Sequence, residues 1–276
     1  DDKSGNSFAG ISDKTSLNFI SADIEAPALS GSAPADDALN IAVNSDIELT
    51  FSESVDVETG KIYIKKVSDD SVFEEIDVTS AQVTGTGTNV ITINPANDFA
   101  STTQYYVQID SSAFDDKSGN SFAGISDKTT LDFTSADIKA PILSSSTPAD
   151  DAVNIPANSD IELTFSESVD VENGKIYIKK TSDDSLFEEI DVTSSQVTGT
   201  GTNVITINPA NDFASTTQYY VQIDSSAFDD KSGNSFAGIT DKTSLNFTSA
   251  DIEVPTLSSS APLDDAANIS VNSDIE

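Results

Sequence analysis

Carboxylates are the one reactive group this sequence holds in quantity. Of its 276 residues, 47 are Asp or Glu and 13 are basic, with no His, Cys, Met or Trp, for a formal charge of −34. Two stretches are notably acidic: Ser52-Glu53-Ser54-Val55-Asp56-Val57-Glu58-Thr59-Gly60 and Phe114-Asp115-Asp116-Lys117-Ser118-Gly119-Asn120. Calcium takes about six to eight oxygens from carboxylates, amides and carbonyls, and asks for no imidazole or thiolate. The candidate Ca²⁺ ligands are therefore Glu53, Asp56, Asp115, Asp116 and Asn120, repeated as Glu167, Asp170, Asp229, Asp230 and Asn234. The run Asp-Asp-Lys-Ser-Gly-Asn lacks the alternating oxygens and distal Glu of an EF-hand loop. A second reading needs no ion: Asp and Gly-Asn close tight turns through side-chain to backbone hydrogen bonds, with Gly119 at positive φ.

Other chemistry is closed off by composition. Without thiol or imidazole there is no triad, no zinc site and no disulfide framework. Adjacent acids such as Glu74 and Glu75 point to opposite faces of a strand, so they do not make the acid and base of a glycosidase. The chain is read as non-catalytic. It has no basic patch to displace phosphate counterions, which argues against nucleic acid, and no run of 18 apolar residues, so no membrane-spanning helix is expected.

Those acids are positioned by a repeat. Asp-Asp-Lys-Ser-Gly-Asn-Ser-Phe-Ala-Gly-Ile begins at Asp1, Asp115 and Asp229, an offset of 114 residues. Self-similarity at a fixed period outranks local motifs in assigning architecture. Residues 26–139 and 140–253 form two complete units that differ at 14 of 114 positions and carry −13 and −14 charges. Residues 1–25 match the end of a unit and 254–276 its beginning, so the expectation is a longer tandem array.

Within a unit the apolar period is two, the mark of half-buried strands. Ile47, Leu49 and Phe51 alternate with Glu48 and Thr50; Ile62 and Ile64 follow, then Val72 to Val78, Val90 to Ile93, Tyr105 to Ile109, and Leu131 with Phe133. Weaker segments at Ala28–Ser32 and Leu39–Val43 precede them. About seven short strands in a unit of this size, separated by turns, predict an immunoglobulin-like sandwich, all-β and Greek-key, with modules in a linear array. In that topology the two acidic stretches are links at one end of the sandwich, the end facing the preceding module.

The run from Pro34 to Glu53, the Thr103–Ile109 strand and the Ala113–Gly124 segment together resemble the bacterial immunoglobulin-like domain of S-layer proteins and giant surface adhesins. The resemblance covers essentially the whole chain. It implies a β-sandwich, usually in tandem, on an exported protein at the bacterial cell surface, acting as a spacer and sharing no catalytic residues.

Three further groups invite a ligand reading and have a structural one. Lys61, Lys65 and Lys66 read as edge-strand lysines that discourage aggregation. Tyr105 and Tyr106 should point one inward and one outward, and Thr102–Tyr105 resembles a tyrosine corner. At the junction, Thr134 to Pro141 leaves little slack, and Pro141 stiffens it; each module should reach about 40 Å. The function expected is a mechanical extender of a long exported adhesin-like protein, with Ca²⁺ as a stiffener. The alternative is a subunit of a self-assembling extracellular filament or S-layer-like structure. Expected partners are neighbouring repeats, other copies in a filament, or cell-surface glycans through domains outside this sequence.

Overall fold

Strict alternation along the chain sends one set of side chains to a core and the other to water, and each repeat condenses around that division. In a computed structural model, residues 3–11, 13 and 18–275 are described. The expected partial repeat over 1–25 falls in part outside them, at residues 1, 2, 12 and 14–17, as does residue 276. The chain divides into two compact units, Asp1–Ile138 and Lys139–Glu276.

The first unit holds β1 (Leu29–Ala33), β2 (Ala38–Ile41), β3 (Ile47–Val57), β4 (Lys61–Lys66), β5 (Val72–Asp77), β6 (Val83–Thr84), β7 (Thr88–Ile93), β8 (Gln104–Ile109), β9 (Phe114–Asp116) and β10 (Asp132–Ser135). The second repeats it with β11 (Leu143–Thr147), β12 (Ala152–Ile155), β13 (Ile161–Val171), β14 (Lys175–Lys180), β15 (Leu186–Asp191), β16 (Val197–Thr198), β17 (Thr202–Ile207), β18 (Gln218–Ile223), β19 (Phe228–Asp230) and β20 (Asn246–Ser249). No helix occurs among the described residues, hence none long and apolar enough to cross a membrane. Of the ten strands in each unit, the two that correspond to no expected segment are β6 and β9 and their counterparts β16 and β19, which are too short to show alternation.

In each unit two five-stranded sheets face one another. One has the order β1-β3-β7-β6 with β9 also on β3; the other has the order β2-β10-β8-β4-β5. All pairs are antiparallel except β2 with β10, whose register sets Phe133 beside Ala38 and Ser135 beside Ile41, and the counterpart β12 with β20. Ile47, Leu49, Phe51, Ile62, Ile64, Val107 and Phe133 fill the space between the sheets. Phe99 packs on Tyr105 at 4.9 Å and on Phe133 at 5.0 Å between centroids, and Phe51 on Phe122 at 5.2 Å. These tilted and edge-on pairs hold the sheets where a disulfide is absent.

Three expectations change. The stretch Ser52–Gly60 is largely strand, because Val55 and Val57 continue the alternation and β3 runs on to Val57. The lysines of β4 lie on an interior strand, between β8 and β5: Lys61 pairs with Glu75 at 2.5 Å, and Lys65 donates to Gln108 at 2.8 Å. Their role is cross-strand pairing on the outer sheet face. Tyr105 and Tyr106 are both buried, because Tyr106, on the outer face, is covered by Lys128 at 5.6 Å from its ring and donates to Asp70 at 3.1 Å. The corner is present, since the Tyr105 hydroxyl accepts the Ala100 N–H at 2.9 Å.

Candidate functional site

The pairing of β9 with β3 sorts the predicted ligands. Val55 faces Asp116, Asp56 faces Asp115, and Val57 faces Phe114. Side chains alternate across a pleated strand, so Asp116 shares a face with buried Val55 and Phe114 while Asp56 and Asp115 share the opposite one. The five residues therefore do not converge on a single point.

Asp116 is almost fully buried and anchors the turn that follows it. Its Oδ1 accepts the Ser118 and Asn120 N–H groups, each at 2.8 Å, and its Oδ2 accepts the Asn120 side-chain amide at 2.7 Å. Gly119 takes φ +85° within that turn, as the turn reading requires. The Asn120 amide, first, and the backbone N–H groups hold the Asp116 carboxyl below its ordinary range, so it stays ionised.

Beside it stand Glu53 of β3 and Asp23, from the segment leading into the unit. Carboxylate oxygens of Asp23, Glu53 and Asp116 lie within 4.8 Å of one another. Asn120 ties the group together, donating also to the Asp23 carbonyl at 3.3 Å. Desolvation, then the charges of Asp23, Asp116 and Glu25, push the Glu53 carboxyl above its ordinary range. With Asp116 fixed as an anion, Glu53 is the member that protonates or gains most from a cation. Its donors are all hard oxygens, which suit Ca²⁺.

On the opposite face Asp56 and Asp115 are direct cross-strand neighbours, a like-charge pair that opposes the pairing. Thr86 bridges to Asp56 at 3.4 Å. In the second unit Asp170 faces Asp229, and Thr200 reaches Asp170 at 3.3 Å. Asp230 accepts the Ser232 and Asn234 N–H groups at 2.8 Å and the Asn234 amide at 2.8 Å. Glu167 lies on β13 as Glu53 lies on β3.

Sequence reasoning did not include Asp23. Its signal is the Ser-Ala-Asp-Ile run that recurs at 21–24, 135–138 and 249–252, which reads as a boundary marker until the fold brings it to β3 and β9.

A family model for the bacterial Ig-like domain matches residues 23–135 and again 137–249. Among solved structures, CopC from Methylosinus trichosporium OB3b aligns at 14% identity over 42% of this chain and 99% of its own, with TM-score 0.30. The N-terminal part of the bacterial S-layer protein SbsC aligns at 11% identity over 77% of this chain and 43% of its own, with TM-score 0.29. The BSP domain of a biofilm associated protein aligns at 12% identity over 79% and 29%, with TM-score 0.21. The chain thus spans less than half of the last two. No curated protein matches it.

Proposed function

We propose a mechanical role for this chain, which belongs to the bacterial Ig-like domain family: a run of extender modules in an exported bacterial surface protein, non-catalytic and adhesin-like. The observation that carries the reading is the near-verbatim repetition of a sandwich that closes its own core, with 14 changes in 114 positions. A module that buries its own apolar faces can be added to an array without redesign. An active site duplicated this way would be redundant.

Calcium enters as a stabiliser. Glu53, Asp116 and Asp23 supply the carboxylates in the first unit, with Asn120 holding Asp116 in place; Asp56 and Asp115 form a separate acidic pair on the other face. In the second unit Glu167, Asp230 and Asn234 stand for Glu53, Asp116 and Asn120, and Asp170 with Asp229 for the flanking pair. An ion bound only by the folded form raises stability by mass action.

The test is thermal unfolding of the whole chain in millimolar calcium and in chelator, repeated with Glu53→Gln, with small-angle scattering on the same samples. The proposal expects calcium to raise the first unit's melting temperature by several degrees and Glu53→Gln to remove that increment. An unchanged melting temperature would leave these acids as turn formers and surface charge, with the extender role resting on packing alone.

A further inference from the structure

The two units part company at one buried position on the strand pair that joins the start of each unit to its end. Position 132 in β10 is Asp, whereas the corresponding positions 18 and 246 are Asn. Within the two complete units the side chain at this position is nearly buried, Asp132 at 8% exposure and Asn246 at 6%, whereas Asn18 in the lead-in segment is exposed. In the second unit the Asn246 amide donates to Asp150 Oδ1 at 2.8 Å, the Asn246 backbone N–H donates to the same oxygen at 3.0 Å, and Gln218 donates to Asn246 Oδ1 at 3.1 Å. The turn before β12 is thereby fastened to β20.

In the first unit the backbone half of this fastening remains, with the Asp132 N–H donating to Asp36 Oδ1 at 3.1 Å. The side-chain half becomes acid against acid. Asp132 faces Asp36 and Asp37 from the turn before β2, and from β8 it receives only the Gln104 amide, at 3.4 Å; its cross-strand neighbour there is Tyr106. Lys128, just upstream on the loop into β10, is committed to Asp70 and to the Tyr106 ring.

We propose that Asp132 makes the β2–β10 clasp of the first unit proton-operated: protonated, it donates to the Asp36–Asp37 turn as Asn246 donates to Asp150, and ionised, it repels that turn and loosens the clasp. The second unit has an amide at this position, which carries no charge to repel the turn. Burial first, then the neighbouring acids, raise the Asp132 carboxyl above its ordinary range, with Gln104 acting against them. A carboxyl raised on folding stabilises fully below its unfolded value, and that stability is lost as pH rises through the folded value. The first unit is thus the one that weakens between acidic and neutral pH.

The experiment is calorimetric unfolding of the full chain in chelator from pH 4.5 to 8, comparing wild type with D132N, N246D and the double exchange. Each single variant copies a side chain that the sister unit already accommodates, so both fold. The gap between the two units' transitions should widen as pH rises in the wild type. D132N should raise the lower transition by several degrees at pH 8 and flatten its pH dependence. N246D should lower the other transition at pH 8 and give it the dependence D132N removes. If D132N leaves both the lower transition and its pH profile where they were, or N246D brings no pH-dependent loss, the proposal fails. Because chelator is present throughout, the outcome is independent of any calcium effect.

Discussion

At the residue scale the 13 basic residues are too few to match the 47 acids of this chain; many acids are held by N–H and O–H donors. Asp127 shows the pattern: its carboxylate accepts the Thr130 hydroxyl at 2.7 Å, the Thr129 N–H at 2.8 Å and the Thr129 hydroxyl at 3.0 Å. These bonds lower its carboxyl to about 2, and Asp241 behaves alike, also to about 2. A depressed value means stability present above the unfolded value near 3.8 and lost as pH falls through about 2. NMR titration should therefore place the midpoints of both residues well below ordinary Asp, and Asp127→Asn should flatten the acid limb of the first unit's stability profile. Gly124 is constrained in another way. At φ +78° a Cβ would lie 2.5 Å from the Ile109 carbonyl oxygen, so Gly124→Ala should cost about 2 kcal/mol or more in chemical denaturation, from the left-handed backbone and the clash together.

At the element scale, the β2–β10 pair is the strand pair that loading would reach in its strongest geometry. These strands run parallel and lie near opposite ends of the unit, with Ala136 N–H closing on the Ile41 carbonyl at 2.7 Å. Tension on the unit's two ends pulls parallel neighbours in opposite directions along their axes, which loads their hydrogen bonds together. In single-molecule pulling of the intact chain, Ala136→Pro should lower the rupture force of one of the two unfolding events, because proline has no N–H to donate. The corner anchors β8, the antiparallel neighbour of β10: Tyr105→Phe removes the bond to Ala100 N–H and should cost about 1 kcal/mol with the fold retained. Alternation revealed β3, β4, β7 and β8, since each has one face on the core. It missed β9 and the extension of β3, because a three-residue strand carries no period and Ser52–Val57 mixes acids with valines.

At the scale of the whole molecule the charge of −34 governs encounters between copies. Like-charged chains repel over a Debye length of about 10 Å at 0.1 M salt and about 3 Å at 1 M. As an extender the chain should sediment as a monomer at both ionic strengths; association that appears at high salt would favour the filament reading. The repeat also predicts how stability is distributed. Each unit owns a core, so Phe133→Ala, which empties a fully buried ring site in the first unit, should cost that unit about 3–5 kcal/mol and leave the second transition in place.

The period, the all-β class and the acidic character were legible in the amino-acid order alone, because hydrophobic alternation and a 114-residue repeat are properties of the chain read in one dimension. The turn role of Asp116, Gly119 and Asn120 was legible too, being local to a few residues. What needed the folded molecule was every relation between distant segments. Pleating sends Asp56 and Asp115 away from Asp116, the lead-in segment brings Asp23 to Glu53, and the loop carrying Lys128 covers Tyr106. Asp132 is one more change among 14 until the parallel strands set it against Asp36 and Asp37. The reason is physical: a carboxylate's charge state depends on which groups lie within a few ångströms of it and on how much water is left there, and only the packing of the two sheets decides both.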